Sequence, residues 1–294
     1  MKINNILILA FVLLAMSCAK DETNGDSSLQ WLSDLEANLV ENPSDEKVAD
    51  YLSVIDSLVQ SDIENAEVNA VLLSRASAFQ FNLNKLSSAI NLLSRAVKDY
   101  PDASNYKENL ENLSELMSKM NQDDALRAFS DALISSSFDE AGKKKEEVSL
   151  DTFIDQINST QRSIYSTSNN IDLKMARRYV RMVELLAFTR PEADAVPGLL
   201  YDAGKVAEVM KDSPKSVYLF EWCNQSYPNA DIAANNLFML AFTCQDGIND
   251  SKRAATYYKA FMDRYPEHEL FSSAEFLLEN IGKSDEEILN DLRK

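Results

Sequence analysis

His268 is the only histidine in the 294-residue chain, so a multi-histidine metal site or a histidine-based catalytic triad cannot be built in the usual way. It follows a Tyr-Pro pair at the start of a helical stretch and reads as a surface residue. Acids adjoin one another at Asp21-Glu22, Asp123-Asp124, Glu146-Glu147 and Asp285-Glu286-Glu287. With 47 acidic residues such neighbours are unavoidable, and no pair stands out as general acid and base. Asp246-Gly247-Ile248-Asn249-Asp250 gathers oxygen ligands but lacks the alternation of a calcium loop. Gly-rich phosphate loops, Cys-x-x-Cys pairs and Gly-x-Ser-x-Gly turns are all missing. Arg177, Arg178 and Arg181 form the one local cationic cluster, which reads either as a small anion-binding patch or as the solvated face of a helix. The expectation is a protein with no catalytic residues, no cofactor and no metal, acting by binding.

The elements that would position a binding surface are helices. Only 6 Gly and 7 Pro punctuate long stretches of Ala, Leu, Glu, Lys and Met, which disfavours turn-rich β architectures. A hydrophobic content of 45% is enough for a packed core. The formal net charge of −18 repels phosphate backbones and anionic surfaces, which excludes nucleic acid as a partner and favours proteins with basic surfaces. Cys223 and Cys244 flank the Tyr227-Pro228 turn at unequal distances. At about 1.5 Å of rise per residue, an antiparallel hairpin sets them at heights a disulfide does not span, so both are expected as buried free thiols.

Self-similarity is the strongest signal. Ala254, Tyr258, Phe261 and Pro266 are spaced +4, +7 and +12 from the first member, as are Ala89, Leu93, Ala96 and Pro101, and Ser216, Phe220, Cys223 and Pro228. Ala125, Phe129 and Ala132 make a partial fourth copy without proline. The +4 and +7 positions share one helix face, and the proline cannot continue the helix. Each copy therefore predicts the second helix of a hairpin followed by a sharp stop. The spacing resembles the second half of a tetratricopeptide repeat. Counting back from Pro228 places Leu200, Ala203, Gly204 and Ala207 at the packing positions of a first helix, and from Pro266 places Phe238, Ala241, Phe242 and Gln245 there. The 38-residue step from Tyr227-Pro228 to Tyr265-Pro266 predicts a longer loop at Gly247-Ile248-Asn249. The run from Ala255 through Tyr265-Pro266 to Glu279 is similar to the repeats of the Tol-Pal coordinator and of outer-membrane assembly lipoproteins.

The first 17 residues read as an export signal: one early lysine, an apolar run from Ile6 to Ala15, then small residues before Cys18. Leu14-Ala15-Met16-Ser17-Cys18 resembles a bacterial lipobox, which implies that Cys18 is lipidated. Lys20-Asp21-Glu22 is similar to the export signal of surface lipoproteins in Bacteroidota, which implies an outer-membrane location. Residues 18–28 would be a tether, 29–138 a first helical array, 139–149 a charged break, and 150–294 a second array. Within the last, Leu150 to Arg190 reads as two longer helices carrying an Ala176, Val180, Val183 and Ala187 stripe, ended by a loop from Pro191 to Gly198. Ser284-Asp285-Glu286-Glu287 looks like a capping box opening a closing helix.

The resulting expectation is an all-α stack of tetratricopeptide-type hairpins in a superhelical array, anchored by lipid and binding other envelope proteins through a concave face. Trp222 and Tyr257 fall off the packing stripe and are the candidate partner-binding residues, with the three arginines beside them. The alternative is capture of a surface glycan on an aromatic platform.

Overall fold

The computed structural model describes residues 32–37, 39, 44–61, 65–165, 171–283, 286 and 287. Cys18, Lys20, Asp21, Glu22 and most of the expected closing helix lie outside them. The described residues are helical apart from turns and one isolated antiparallel bridge, Phe138 to Lys144. The chain divides between Lys145 and Glu146 into two compact units.

In the first unit residues 32–37 are helical. They are followed by α1 (Asp45–Ser61), α2 (Ala66–Asn82), α3 (Leu86–Asp99), α4 (Tyr106–Asn121) and α5 (Asp124–Ser137). The second unit holds α6 (Asp151–Ile164), α7 (Leu173–Thr189), α8 (Val196–Val209), α9 (Ser213–Ser226), α10 (Ala233–Phe242), α11 (Ser251–Arg264) and α12 (Phe271–Glu279). Within each unit every helix packs on its sequence neighbours, which is the arrangement of stacked tetratricopeptide-type hairpins.

Two turn types repeat and set the frame. The hairpin turn has one left-handed residue directly before the N-cap: Asn84, Gln122, Lys211 and Asn249, with φ of 57°, 49°, 63° and 55°. Three of the four caps are aspartates, Asp123, Asp212 and Asp250, whose carboxylates accept an N–H from three residues on and satisfy an orphan helix donor. The connector between hairpins follows an X-Pro pair. Tyr100, Arg190, Tyr227 and Tyr265 share φ near −130° and ψ of 54–61°, outside the helical region that a following proline disfavours. After each, the N–H three residues on donates back, and the next three-residue step repeats it. Ala103 donates to Tyr100 and Tyr106 to Ala103; Ala193, Ala230 and His268 begin the same relay elsewhere.

This frame extends the repeat into a region the sequence left irregular. Tyr179, Val183, Leu186 and Pro191 have the +4, +7, +12 spacing, and the three side chains before the proline are buried. So α7 is the second helix of a hairpin, with a tyrosine where the other copies are small. The expected loop to Gly198 is also shorter, because α8 begins at Val196 and takes Pro197 into its first turn, where no N–H is needed.

Two expectations are corrected by burial. Ala125 and Ala132 of the partial ladder are exposed, and the inward stripe of α5 is Leu126, Phe129, Ser130, Leu133, Ile134 and Ser137. Phe242 is 37% exposed, whereas Leu237, Leu240, Ala241 and Cys244 are buried at the positions matching Leu200, Ala203, Gly204 and Ala207. The cause is the extra residue of this repeat. It does not lengthen the loop; it is absorbed in a π-helical turn, Thr243–Gly247, so counting back from Pro266 slips by one. At Gly204 a Cβ would stand 2.4 Å from the buried Phe220 ring, so only glycine allows α8 and α9 this close. The thiols of Cys223 and Cys244 are free and buried.

Candidate partner-binding surface

The cores of successive hairpins are linked by ionic contacts at matching positions. Glu184 on α7 is buried, with 1% of its side chain exposed, and receives Arg181 Nη1 and Lys215 Nζ, each at 2.8 Å. One repeat later Glu221 on α9 receives Arg253 Nη2 of α11 at 2.5 Å and the hydroxyl of Tyr257. Burial alone would raise the Glu184 pKa; Lys215 and Arg181 outweigh it and hold the carboxyl below its ordinary value. The Tyr257 hydroxyl is pushed up to about 12, by burial first and then by the Glu221 carboxylate it bonds.

These contacts absorb most of the predicted site. Arg181 belongs to the ion triad and points inward, and Arg178 Nη1 reaches the Met175 sulfur at 3.6 Å, which leaves Arg177 as the exposed member of the cluster. The three arginines therefore do not form one anion patch. Tyr257 is half-buried against the last core and tied to Glu221. Trp222 is corrected outright: it is 3% exposed and stacks on Phe188 with centroids 4.6 Å apart, with Tyr218 tilted against it. An indole held in this way offers no platform to a sugar or a peptide.

The cysteines, the histidine and the oxygen-rich turn are each held by their surroundings. Burial pushes the Cys223 thiol up to about 12 and the Cys244 thiol to about 11, so both are protonated at neutral pH. His268 is half-buried in a connector; its ring packs edge-to-face with Phe261 and its Nδ1 accepts the Leu270 N–H at 3.2 Å. In the oxygen-rich turn Asp250 caps α11 through the Arg253 N–H and Asp246 is exposed.

The surface the sequence reading missed lies on the first helix of each hairpin. Ten residues after each connector proline stand Tyr201, Phe238 and Phe276, at equivalent positions of α8, α10 and α12. Beside them are Asp202, Met239 and Leu277, and one turn further Lys205, Phe242 and Asn280. Tyr201 leans on Phe220 of its own hairpin, and Phe238 on Tyr258 and Phe261, so their rings are half-buried. Phe242 and Phe276 are 37% and 42% exposed, and Phe276 and Leu277 line an open depression with Ser272 and Ser273. Lys205 pairs with Asp202 at 3.3 Å and covers the Tyr201 ring. The row is thus ionic at α8 and apolar from α10 to α12. Counting forward from each proline would have found it.

Comparison with known families agrees with this frame. The tetratricopeptide repeat family matches residues 236–268, which run from α10 through α11 into the connector that follows. No curated protein matches the chain. The fold is a stack of helical hairpins, one of which matches the tetratricopeptide repeat, a repeat that typically mediates protein–protein contacts.

Proposed function

We propose that this chain is a non-catalytic scaffold or adaptor of the bacterial envelope, held to the outer membrane by a lipid on Cys18 and binding other proteins through the first helices of its second unit. The observation that carries the reading is the Tyr201, Phe238 and Phe276 row on a stack whose α10–α11 hairpin matches the tetratricopeptide repeat. Partly exposed aromatic side chains on a rigid helical face supply contact area with little ordering cost. The net charge of −18 favours a partner with basic residues around its contact patch. Lipobox-like residues at 14–18 support the anchor, and a multiply acylated cysteine would hold the protein at a membrane without a spanning helix. Among the described residues no helix is long and apolar enough to cross one.

In-cell crosslinking of the full-length chain, followed by affinity purification, tests the binding surface. A discrete partner lost in a Phe242→Asp/Phe276→Asp variant supports the reading. A partner retained by that variant, or none above background, overturns it. Fractionation of Cys18→Ser tests the anchor separately, since unchanged membrane retention removes the lipid from the proposal.

A further inference from the structure

The aromatic row on the first helices of the second unit has an acidic companion. Tyr201, Phe238 and Phe276 stand ten residues after each connector proline; Asp194, Asp231 and Glu269 stand three residues after the same prolines, at the entry to α8, α10 and α12. All three acids are exposed, and none forms an ion pair or a side-chain hydrogen bond among the described residues. They do not cap their helices, whose N-caps Ala195, Ile232 and Leu270 follow them without a side-chain bond. No lysine or arginine occurs from Pro228 to Asp250 or from Pro266 to Gly282, so neither α10 nor α12 carries a cation beside its ring. Arg264, just ahead of the last connector, is turned to the Pro228 carbonyl at 2.9 Å and lies over the Tyr265 ring. In the first unit both rows are missing together. Three residues after Pro101 is Ser104, bonded to Glu67, and ten after it is Glu111, which faces Lys107 at 3.8 Å.

We infer that the segment this surface takes from its partner is a basic amphipathic α-helix lying across α8, α10 and α12, with its apolar stripe on the rings and a flank of lysines or arginines on the acidic row. The inference rests on the scaffold reading of the same row and adds the chemistry of what it binds. Seven residues separate the rows, which is about two helical turns or roughly 10 Å of rise, and a helix with its side chains is about 10–12 Å across, so one helix touches both. Capture of an apolar helix face by a groove is a recurrent mode of peptide recognition. A lysine or arginine on that helix reaches an acid while its methylenes stay on apolar surface. An extended strand fits less well, because its side chains alternate between opposite faces and one face meets a single row. An acidic helix is repelled, so the acids select as well as attract. The apolar anchor belongs at α10 and α12, since at α8 the Tyr201 ring is already covered by Lys205.

The test is fluorescence anisotropy of the full-length Cys18→Ser chain with a labelled helical peptide that carries a leucine stripe flanked on one side by lysines. Binding is expected to this peptide, to weaken with added salt, and to be lost when glutamates replace the lysines. Asp194→Asn/Asp231→Asn/Glu269→Gln is expected to weaken it about tenfold, the effect of three exposed ion pairs. Glu46→Gln/Asp50→Asn/Glu140→Gln changes the net charge equally on exposed acids of the first unit and is expected to leave binding unchanged. Circular dichroism matching the parent chain shows that each variant is folded. No binding of the lysine peptide, an equal loss in the two folded triple variants, or equal binding of the same peptide interrupted by prolines overturns the inference. The scaffold reading is separable in cells. A crosslinked partner lost in Phe242→Asp/Phe276→Asp but kept by the Asp194→Asn/Asp231→Asn/Glu269→Gln variant leaves that reading standing and overturns the basic helix, whereas a partner kept by both overturns the two together.

Discussion

The two units solve the same packing problem with different chemistry. Between their helices, the hairpins of the first unit place small polar side chains: Ser77 Oγ donates to the Ala89 carbonyl at 2.8 Å, Ser74 bonds Asn109, and Ser114 meets Ser130. The second unit fills that space with rings and closes its helices on Phe220, Tyr258 and Phe261. Only there does the tetratricopeptide family match. Rings and proline stops constrain volume and leave a readable spacing, whereas a serine that bonds a neighbouring carbonyl tolerates many sequences around it. Detectability thus follows packing chemistry, although both units share the same hairpin turns and connectors.

The comparison can be broken most severely at the rings. Phe220→Ala removes a fully buried side chain that touches both α8 and the last core, and is expected to cost about 3–5 kcal/mol in urea denaturation. Next comes Glu184→Gln, which leaves Arg181 and Lys215 facing a neutral group at a buried site and is expected to cost on the order of 3 kcal/mol. Its sign with pH is fixed by the lowered pKa. The contribution is complete above the ordinary carboxylate range and is lost as pH falls through the depressed folded-state value, so the parent chain loses more stability on acidification than the variant does.

Gly204→Ala comes third. The Phe220 ring has no exposed side into which to move, so overpacking is expected to cost about 1–3 kcal/mol, and calorimetry should show a lowered transition. The smallest change is in the first unit. Ser77→Ala leaves one carbonyl still bonded within its helix and is expected to cost about 1 kcal/mol by the same denaturation assay. If it cost as much as Phe220→Ala, the distinction between a ring-packed and a polar-packed unit would fail.

Much of this fold was legible because the repeat is written in residues that stop helices. Pro101, Pro228 and Pro266 marked three connectors, and the small and aromatic residues before them marked three second helices. The α6–α7 pair was legible as two helices with a buried Ala176, Val180, Val183 and Ala187 stripe, but its repeat spacing escaped because Tyr179 stands where a small residue was expected. Phe242 was misplaced because a π turn adds a residue without adding a loop, and backbone bonding of that kind leaves no compositional trace. Trp222 was misread for a related reason. Its off-stripe position predicted exposure, but a second helix in a stack is covered on two sides, by its own hairpin and by the one before, and Phe188 of α7 lies on that other side.

The two thiols allow the stack to be timed. Cys223 is set in the last turn of α9 and Cys244 in the π turn, and each thiol reacts with an alkylating reagent only after its surroundings part and its proton can leave. Their labelling rates are therefore two clocks set into adjacent hairpins. Should the Cys244 clock run faster, the extra residue would be a hinge as well as a spacer, and the array would open between α10 and α11 before it opens anywhere around α9.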